Sequence, residues 1–295
     1  LKTFIIVLCH FFQLDAQNFH NIPTTCLFES NSTEFLSKLP EVNSDELIEK
    51  STGLSIPVVF HIIHSRRSSY IDDERVLEQL ERINQDFSGK NDDISNVPIF
   101  FSDIISKHSI KFCLAAKDPL GNNTNGIVRT WSDQTGIGLD HSLYYTSEGG
   151  SDAWDPSRYL NVWVADFGDD EHLTGFATSP ITDVPVAEQG VVINPLFFTG
   201  SENVSFAMGR TAVHEIGHFL GLDHPWGNNG CESDDFIDDT PNQERGYYGC
   251  PEYPETTCGS RDVFMNFMDY VDDSCMFFFT KGQKERMFSS LELFR

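Results

Sequence analysis

Residues 214–224 read HEIGHFLGLDH, with His214 and His218 four apart, Glu215 beside the first, Gly221 three beyond the second and His224 three beyond that. On a helix of 3.6 residues per turn, His214 and His218 project from one face. Two imidazoles held that way offer a divalent ion two ligands with little freedom left to lose, and zinc takes imidazole nitrogen in a tetrahedral shell. Glu215 stands about 100° round the helix from His214. It joins no ligand row and is free to act as a base. Three protein ligands leave one position for a water of pKa about 7, and a carboxylate there can take its proton as it attacks a carbonyl and return that proton to the leaving amine. Gly221 supplies the turn: a left-handed residue at a helix end redirects the chain sharply and lets His224 return as third ligand. A bare two-histidine pattern with a glutamate arises by chance in ordinary buried helices; with Gly221 and His224 in step it is far rarer.

The surrounding chain must build that helix and something for it to rest on. SIPVVFHIIH (55–64) reads as a strand. IDDERVLEQLERINQDF predicts a helix with Val76, Leu77, Leu80, Ile83 and Phe87 on one face and acidic residues in its first turn. IKFCLAA, GIVRTW, YLNVWVADF and GVVINPLFF supply further strands between turns such as DPLGNNTNG. A second helix is expected from near Ser205 to Leu220, carrying the histidines. After Gly221 the pattern fades into chain rich in Cys, Gly, Pro and Asp, until TKGQKERMFSSL predicts a closing helix. Strand, helix, several strands and helix in that order indicate α/β or α+β organisation.

Composition narrows the class. The 295 residues suffice for a sizeable core, and a formal charge of −25 argues against nucleic-acid binding. LKTFIIVLCHFFQLDA reads as a secretory signal peptide over residues 1–16, its apolar run too short to span a bilayer. Residues 17–55 are polar and read as a pro-segment, leaving 56–295 for the main domain. Sequons at Asn31, Asn122 and Asn203 suit glycosylation during secretion. Of the seven cysteines, Cys231, Cys250, Cys258 and Cys275 cluster late in the chain, where an oxidising compartment implies two local disulfides, with three pairings open. With Cys9 in the signal peptide, Cys26 and Cys113 remain. A Cys26 thiolate can block the metal, pair with Cys113, or each thiol can stay unpaired.

At these residues the chain resembles the metzincin metalloproteases, and among them the pappalysin family in its short, secreted form with a catalytic domain alone. The resemblance rests on HEIGHFLGLDHPW, CESDDFIDDTP and NFMDYVDDSCMFFFTKGQ, with IPVVFHII, DPLGNNTNGIVR and YLNVWV upstream, and covers residues 56–285. It implies an α+β zincin-like fold: a twisted, mostly parallel sheet with helices above, and an irregular, disulfide-bonded subdomain below. It implies zinc on His214, His218 and His224, Glu215 as general base, Met268 as the floor beneath the imidazoles and Tyr270 as a group stabilising the oxyanion. Disulfides Cys231–Cys258 and Cys250–Cys275 follow from the same resemblance.

The acidic run DDFIDDT lacks EF-hand spacing, but relatives hold calcium in this loop, with Asp235 and Thr240 the best-matched ligands here. Substrate recognition in such a fold adds an extended peptide to a sheet edge, here Gly175, Phe176 and Ala177 in TGFATSP. Asp273 matches the aspartate that takes Arg or Lys just after the scissile bond, a charge-assisted pairing. The expected partners are therefore proteins or peptides, with no nucleic acid and no membrane. A zinc-binding module without turnover would be favoured by loss of Glu215 or Tyr270, and both are present.

Overall fold

The computed structural model describes residues 25–27, 55–65, 70–107, 110–180 and 184–294. The expected signal peptide, most of the expected pro-segment, the Cys26 side chain and the Asn31 sequon lie outside the described residues. Asn122 and Asn203 are exposed.

Seven strands form one sheet: β1 (Thr25–Leu27), β2 (Ser55–His64), β3 (Lys111–Leu114), β4 (Ile127–Trp131), β5 (Leu160–Val164), β6 (Leu173–Ala177) and β7 (Val191–Ile193). Their order is β1-β6-β7-β5-β2-β3, and β4 joins β2 beyond the end of β3. Strands β2, β3, β4, β5 and β7 run parallel, while β6 pairs antiparallel with β7 and parallel with β1. The fold is α+β with a mostly parallel sheet.

The period of two along β2 sorts its side chains. Val58, Phe60 and Ile62 join the main core, whereas Ile63 faces a second cluster with Trp163, Val192, Leu143 and Phe167. Buried on both faces, the central strands carry the runs VVFHII and LNVWV. Burying each such Val, Ile or Phe contributes roughly 1.5–3 kcal/mol.

Two helices lie on the main-core face. Helix α1 (Asp73–Ser88) starts at Asp72, whose Oδ1 accepts the Arg75 N–H, and stops at Gly89 in the left-handed region. Val76, Ile83 and Phe87 are buried as expected, but Leu77 is 52 % exposed. The buried stripe continues instead through Gln79 and Asp86. Those two polar groups are bonded to the segment that carries the second helix. Gln79 Oε1 accepts from Thr199 N, its Nε2 donates to Gly209 O at 2.9 Å, and Asp86 takes the Arg210 guanidinium.

Helix α2 (Arg210–Phe219) is shorter at its start than the sequence implied. Gly209, at φ 79°, breaks the helix, and the close approach of Thr199 and Gln79 leaves no room for a Cβ there. The expected strand GVVINPLFF also ends early, because Asn194 caps a short turn by accepting the Leu196 N–H and Pro195 starts it. Helix α3 (Lys281–Phe294) closes the fold as expected.

Between α2 and α3 the described chain has no strand or α-helix. Two disulfides, Cys231–Cys258 and Cys250–Cys275, hold it at Cα separations of 5.2 and 5.6 Å. Its apolar residues, among them Met268, Val271, Phe278 and Phe279, complete the core under α2. Cys113 is unpaired. Strands β1 and β3 lie at opposite edges of the sheet, about 24 Å apart at 4.8 Å per strand. Among the described residues no helix is long and apolar enough to cross a membrane.

Candidate metal centre

Helix α2 presents His214 and His218 on one face, their rings edge-on with centroids 4.6 Å apart. Gly221 follows at φ 87°, in the left-handed region, and the turn returns His224 to the same point. The three Nε2 atoms approach to 3.0 Å (His214 to His218), 3.0 Å (His218 to His224) and 3.3 Å (His214 to His224). A tetrahedral ion at 2.0–2.1 Å from each nitrogen sets such edges at about 3.3 Å. Among the described residues this is the only convergence of three or more metal-ligating side chains.

Protonation settles what the cluster can hold. His214 Nδ1 faces Phe267 O and His218 Nδ1 faces Leu222 O, both at 2.8 Å. A carbonyl only accepts, so both Nδ1 atoms carry the hydrogen and both Nε2 atoms present a bare lone pair. Burial pushes the His214 imidazole down to about 4. Burial, and then the neighbouring histidines, push His218 and His224 well below the usual range. Neutral lone pairs 3.0 Å apart repel unless a cation sits between them. The donor set fits zinc.

The floor and walls come from the irregular region. Met268 lies beneath α2 where Gly217 has no side chain; a Cβ on Gly217 would overlap the Met268 sulfur. Asn266 shapes this turn by accepting the Met268 N–H through Oδ1 at 2.9 Å and exchanging amide bonds with Gln283. Asp269, fully buried and pushed up to about 7 by burial, accepts from Tyr247 N, Tyr270 N and Gln243 Nε2. One carboxylate thus ties the 243–247 stretch to its own turn beside Tyr270. The Tyr270 ring lies 4.8 Å from His224 and 5.8 Å from His214. Trp226 stacks on His224 at 4.5 Å and meets Tyr270 edge-on at 4.9 Å, which fixes the plane of the third imidazole.

Glu215 is fully buried and packs against Gly175 of β6, where an added Cβ would meet Glu215 Cγ at 3.2 Å. Phe176 and Ala177, both half-buried, continue that strand beside the centre. The edge expected to be open is not bare: β1, within the expected pro-segment, pairs with β6, Thr25 opposite Leu173 and Leu27 opposite Phe176.

A small pocket beside His214 is lined by Thr174, Phe206, Thr211, Tyr270, Asp273 and Met276, among others. Asp273 is buried in its lining, its carboxyl pushed up to about 7 by burial. Asp235 and Thr240 are apart from this centre and bonded to each other, Thr240 Oγ1 donating to both Asp235 oxygens at 2.8 Å. Nearby, Asp239 Oδ2 accepts the Gly282 N–H at the start of α3.

Gly217, Trp226, Asp269 and Arg210 are the contributors that sequence reading missed. For Gly217 a signal was present: glycine inside a helix costs about 1 kcal/mol against alanine, which points to a close approach.

The family model described as Pregnancy-associated plasma protein-A matches residues 144–292. An extracellular metalloprotease of Arthroderma benhamiae is 31% identical over 247 residues, covering 80% of this chain and 72% of that protein. Extracellular metalloprotease 1 of Coccidioides posadasii is 28% identical over 286 residues, covering 93% and 89%. Among solved structures, mature mirolysin of Tannerella forsythia in complex with a cleaved peptide is 40% identical, with a TM-score of 0.73 over 79% of this chain and 90% of that one. Promirolysin from the same organism is 35% identical, with a TM-score of 0.75 over 90% and 92%.

Proposed function

The chain belongs to the pappalysin family of metzincin metalloendopeptidases, and from that premise we propose that it is a secreted zinc endopeptidase made as a zymogen, with Glu215 as its general base. The observation that carries the reading is the convergence of three buried imidazole Nε2 atoms within 3.3 Å of one another. His214, His218 and His224 hold the zinc. When bound, that ion polarises the scissile carbonyl and lowers the pKa of water.

The protein's own groups do the rest. Glu215 takes a proton from the attacking water on its carboxylate and hands it to the leaving nitrogen. Tyr270 donates its phenolic hydrogen to the developing oxyanion. Gly175, Phe176 and Ala177 align the substrate backbone as an added strand. Met268 supports the imidazoles from below. Asp273 takes an Arg or Lys side chain immediately after the scissile bond. The pairing of Thr25–Leu27 with β6 supports zymogen latency, since that segment lies along the strand a substrate would use. The extracellular relatives support secretion.

A structural calcium at Asp235 and Thr240 belongs to the same reading. It is supported by the buried Asp235 carboxyl, which burial pushes well above its usual range, and by Asp239 Oδ1, buried without a hydrogen-bond partner.

The test uses the processed protein on an unfolded protein substrate. Hydrolysis is expected to stop with a zinc chelator, return with added zinc, and fall by about 10²–10⁴-fold in Glu215→Ala. Full activity in that variant would overturn the assignment of the base; full activity under chelation would overturn the metal reading.

A further inference from the structure

Arg210, the first residue of α2, is fully buried with every donor used. Its Nε donates to Asp86 Oδ2 at 3.1 Å and its Nη2 to Asp86 Oδ1 at 3.2 Å. Asp93 receives Nη1 at 2.6 Å and Nη2 at 2.8 Å. The remaining Nη1 hydrogen goes to the main-chain oxygen of Asp273, also at 2.6 Å. A guanidinium has five N–H donors in a rigid fork, and here all are matched.

Asp273 is held from two sides. The guanidinium fixes its carbonyl, while Oδ2 of its carboxylate accepts the Met208 N–H at 2.9 Å and the Arg210 N–H at 3.2 Å. Oδ1 is buried and has no hydrogen-bond partner. Two carboxylates already surround the one guanidinium, so Arg210 offsets the charge of Asp273 only in part. The buried Lys284 is engaged elsewhere: its Nζ donates to Phe87 O at 2.8 Å.

From this geometry we infer that Arg210, clamped by Asp86 and Asp93, is a positioning residue for substrate specificity: it holds Asp273 so that one oxygen, Oδ1, is kept for a cationic substrate side chain entering the cleft beside His214. The inference rests on the proposed role of Asp273 with the residue after the scissile bond. A buried carboxylate with one oxygen unbonded favours a cation and rejects an apolar side chain that would leave that oxygen unpaired. The selectivity is thus built one layer behind the residue that touches substrate, through a clamp joining α1, the 92–96 turn, α2 and the irregular region.

Two peptides differing only after the scissile bond, Arg against Leu, test this on the processed enzyme. The unaltered protein is expected to prefer Arg by about 10- to 100-fold in kcat/KM. In Arg210→Lys, which cannot reproduce the fork, and in Asp93→Asn, which opens the clamp at its half-exposed side, that ratio is expected to fall at least about fivefold through a higher KM for the Arg peptide. Zinc is expected to stay at one per chain in both. Asp93→Asn carries the test alone if Arg210→Lys does not fold. An Arg/Leu ratio unchanged in the folded variants would overturn the role of the clamp. No preference in the unaltered protein would instead sink the reading of Asp273 itself.

Discussion

Helix α2 and the chain after it supply one centre by opposite means. The helix places His214 and His218 by backbone periodicity alone, and its stability is drawn from an apolar face against a seven-stranded sheet. The region from 222 to 280 has no strand or α-helix, yet it contributes His224, the Met268 floor, Tyr270 and Asp273. There, geometry is held by covalent bridges and buried carboxylates that accept main-chain N–H groups. Asp269 is the clearest case, serving Tyr247, Tyr270 and Gln243 at once. A regular element fixes positions through bonds it must make anyway; an irregular one needs a dedicated partner for each.

That contrast can be broken first at the disulfides. Replacing all four paired cysteines by alanine is expected to lower stability by about 4–8 kcal/mol, from about 2–4 kcal/mol for each bridge. If the two regions are held as described, activity is then lost at a lower denaturant concentration than the far-ultraviolet helical signal. Coincident loss of both would show that the regions unfold as one unit.

A smaller break is Asp269→Asn. The amide keeps one acceptor oxygen but turns an N–H toward donors it cannot accept, at an expected cost of about 1–3 kcal/mol. Fluorescence of the neighbouring Trp226 is expected to change with it; a variant as stable as the parent, with unchanged kcat, would show that Asp269 is not what holds Tyr270.

The finest test is Gly217→Ala. In an isolated helix this change stabilises by about 1 kcal/mol. Here the new methyl meets the Met268 sulfur, and overpacking of about 1–3 kcal/mol is expected to outweigh that gain. Thermal unfolding of Gly217→Ala beside the double variant Gly217→Ala, Met268→Ala separates the two terms. A stabilised single variant would mean that the floor yields easily.

The same division explains what could be read from the sequence. Strand β2, the histidine face of α2 and the turn at Gly221 follow from periods of 2 and 3.6 and from a left-handed glycine. All three were legible from local pattern. The disulfide partners were legible only through family resemblance, since four cysteines allow three pairings. Leu77 misled because an apolar residue at the margin of a helical stripe has the same signature whether or not anything covers it. Gln79 and Asp86, which take that buried face instead, are polar residues whose partners lie more than a hundred residues away. Trp226 and Asp269 went unseen as well, although their partners are much nearer in sequence. No periodicity marks a carboxylate that will accept three amides, or an indole that will stack on an imidazole. Strand β1 escaped notice because three residues added to a sheet edge leave no pattern at all.

The most direct test of the shared centre is metal analysis with X-ray absorption on the processed protein and on its His224→Ala variant. One zinc per chain is expected, with three imidazole nitrogens at about 2.0–2.1 Å in the parent and two in the variant, together with weaker retention of the ion. A protein without zinc, or one whose zinc shell is identical with and without His224, would contradict a centre assembled jointly by helix and irregular chain.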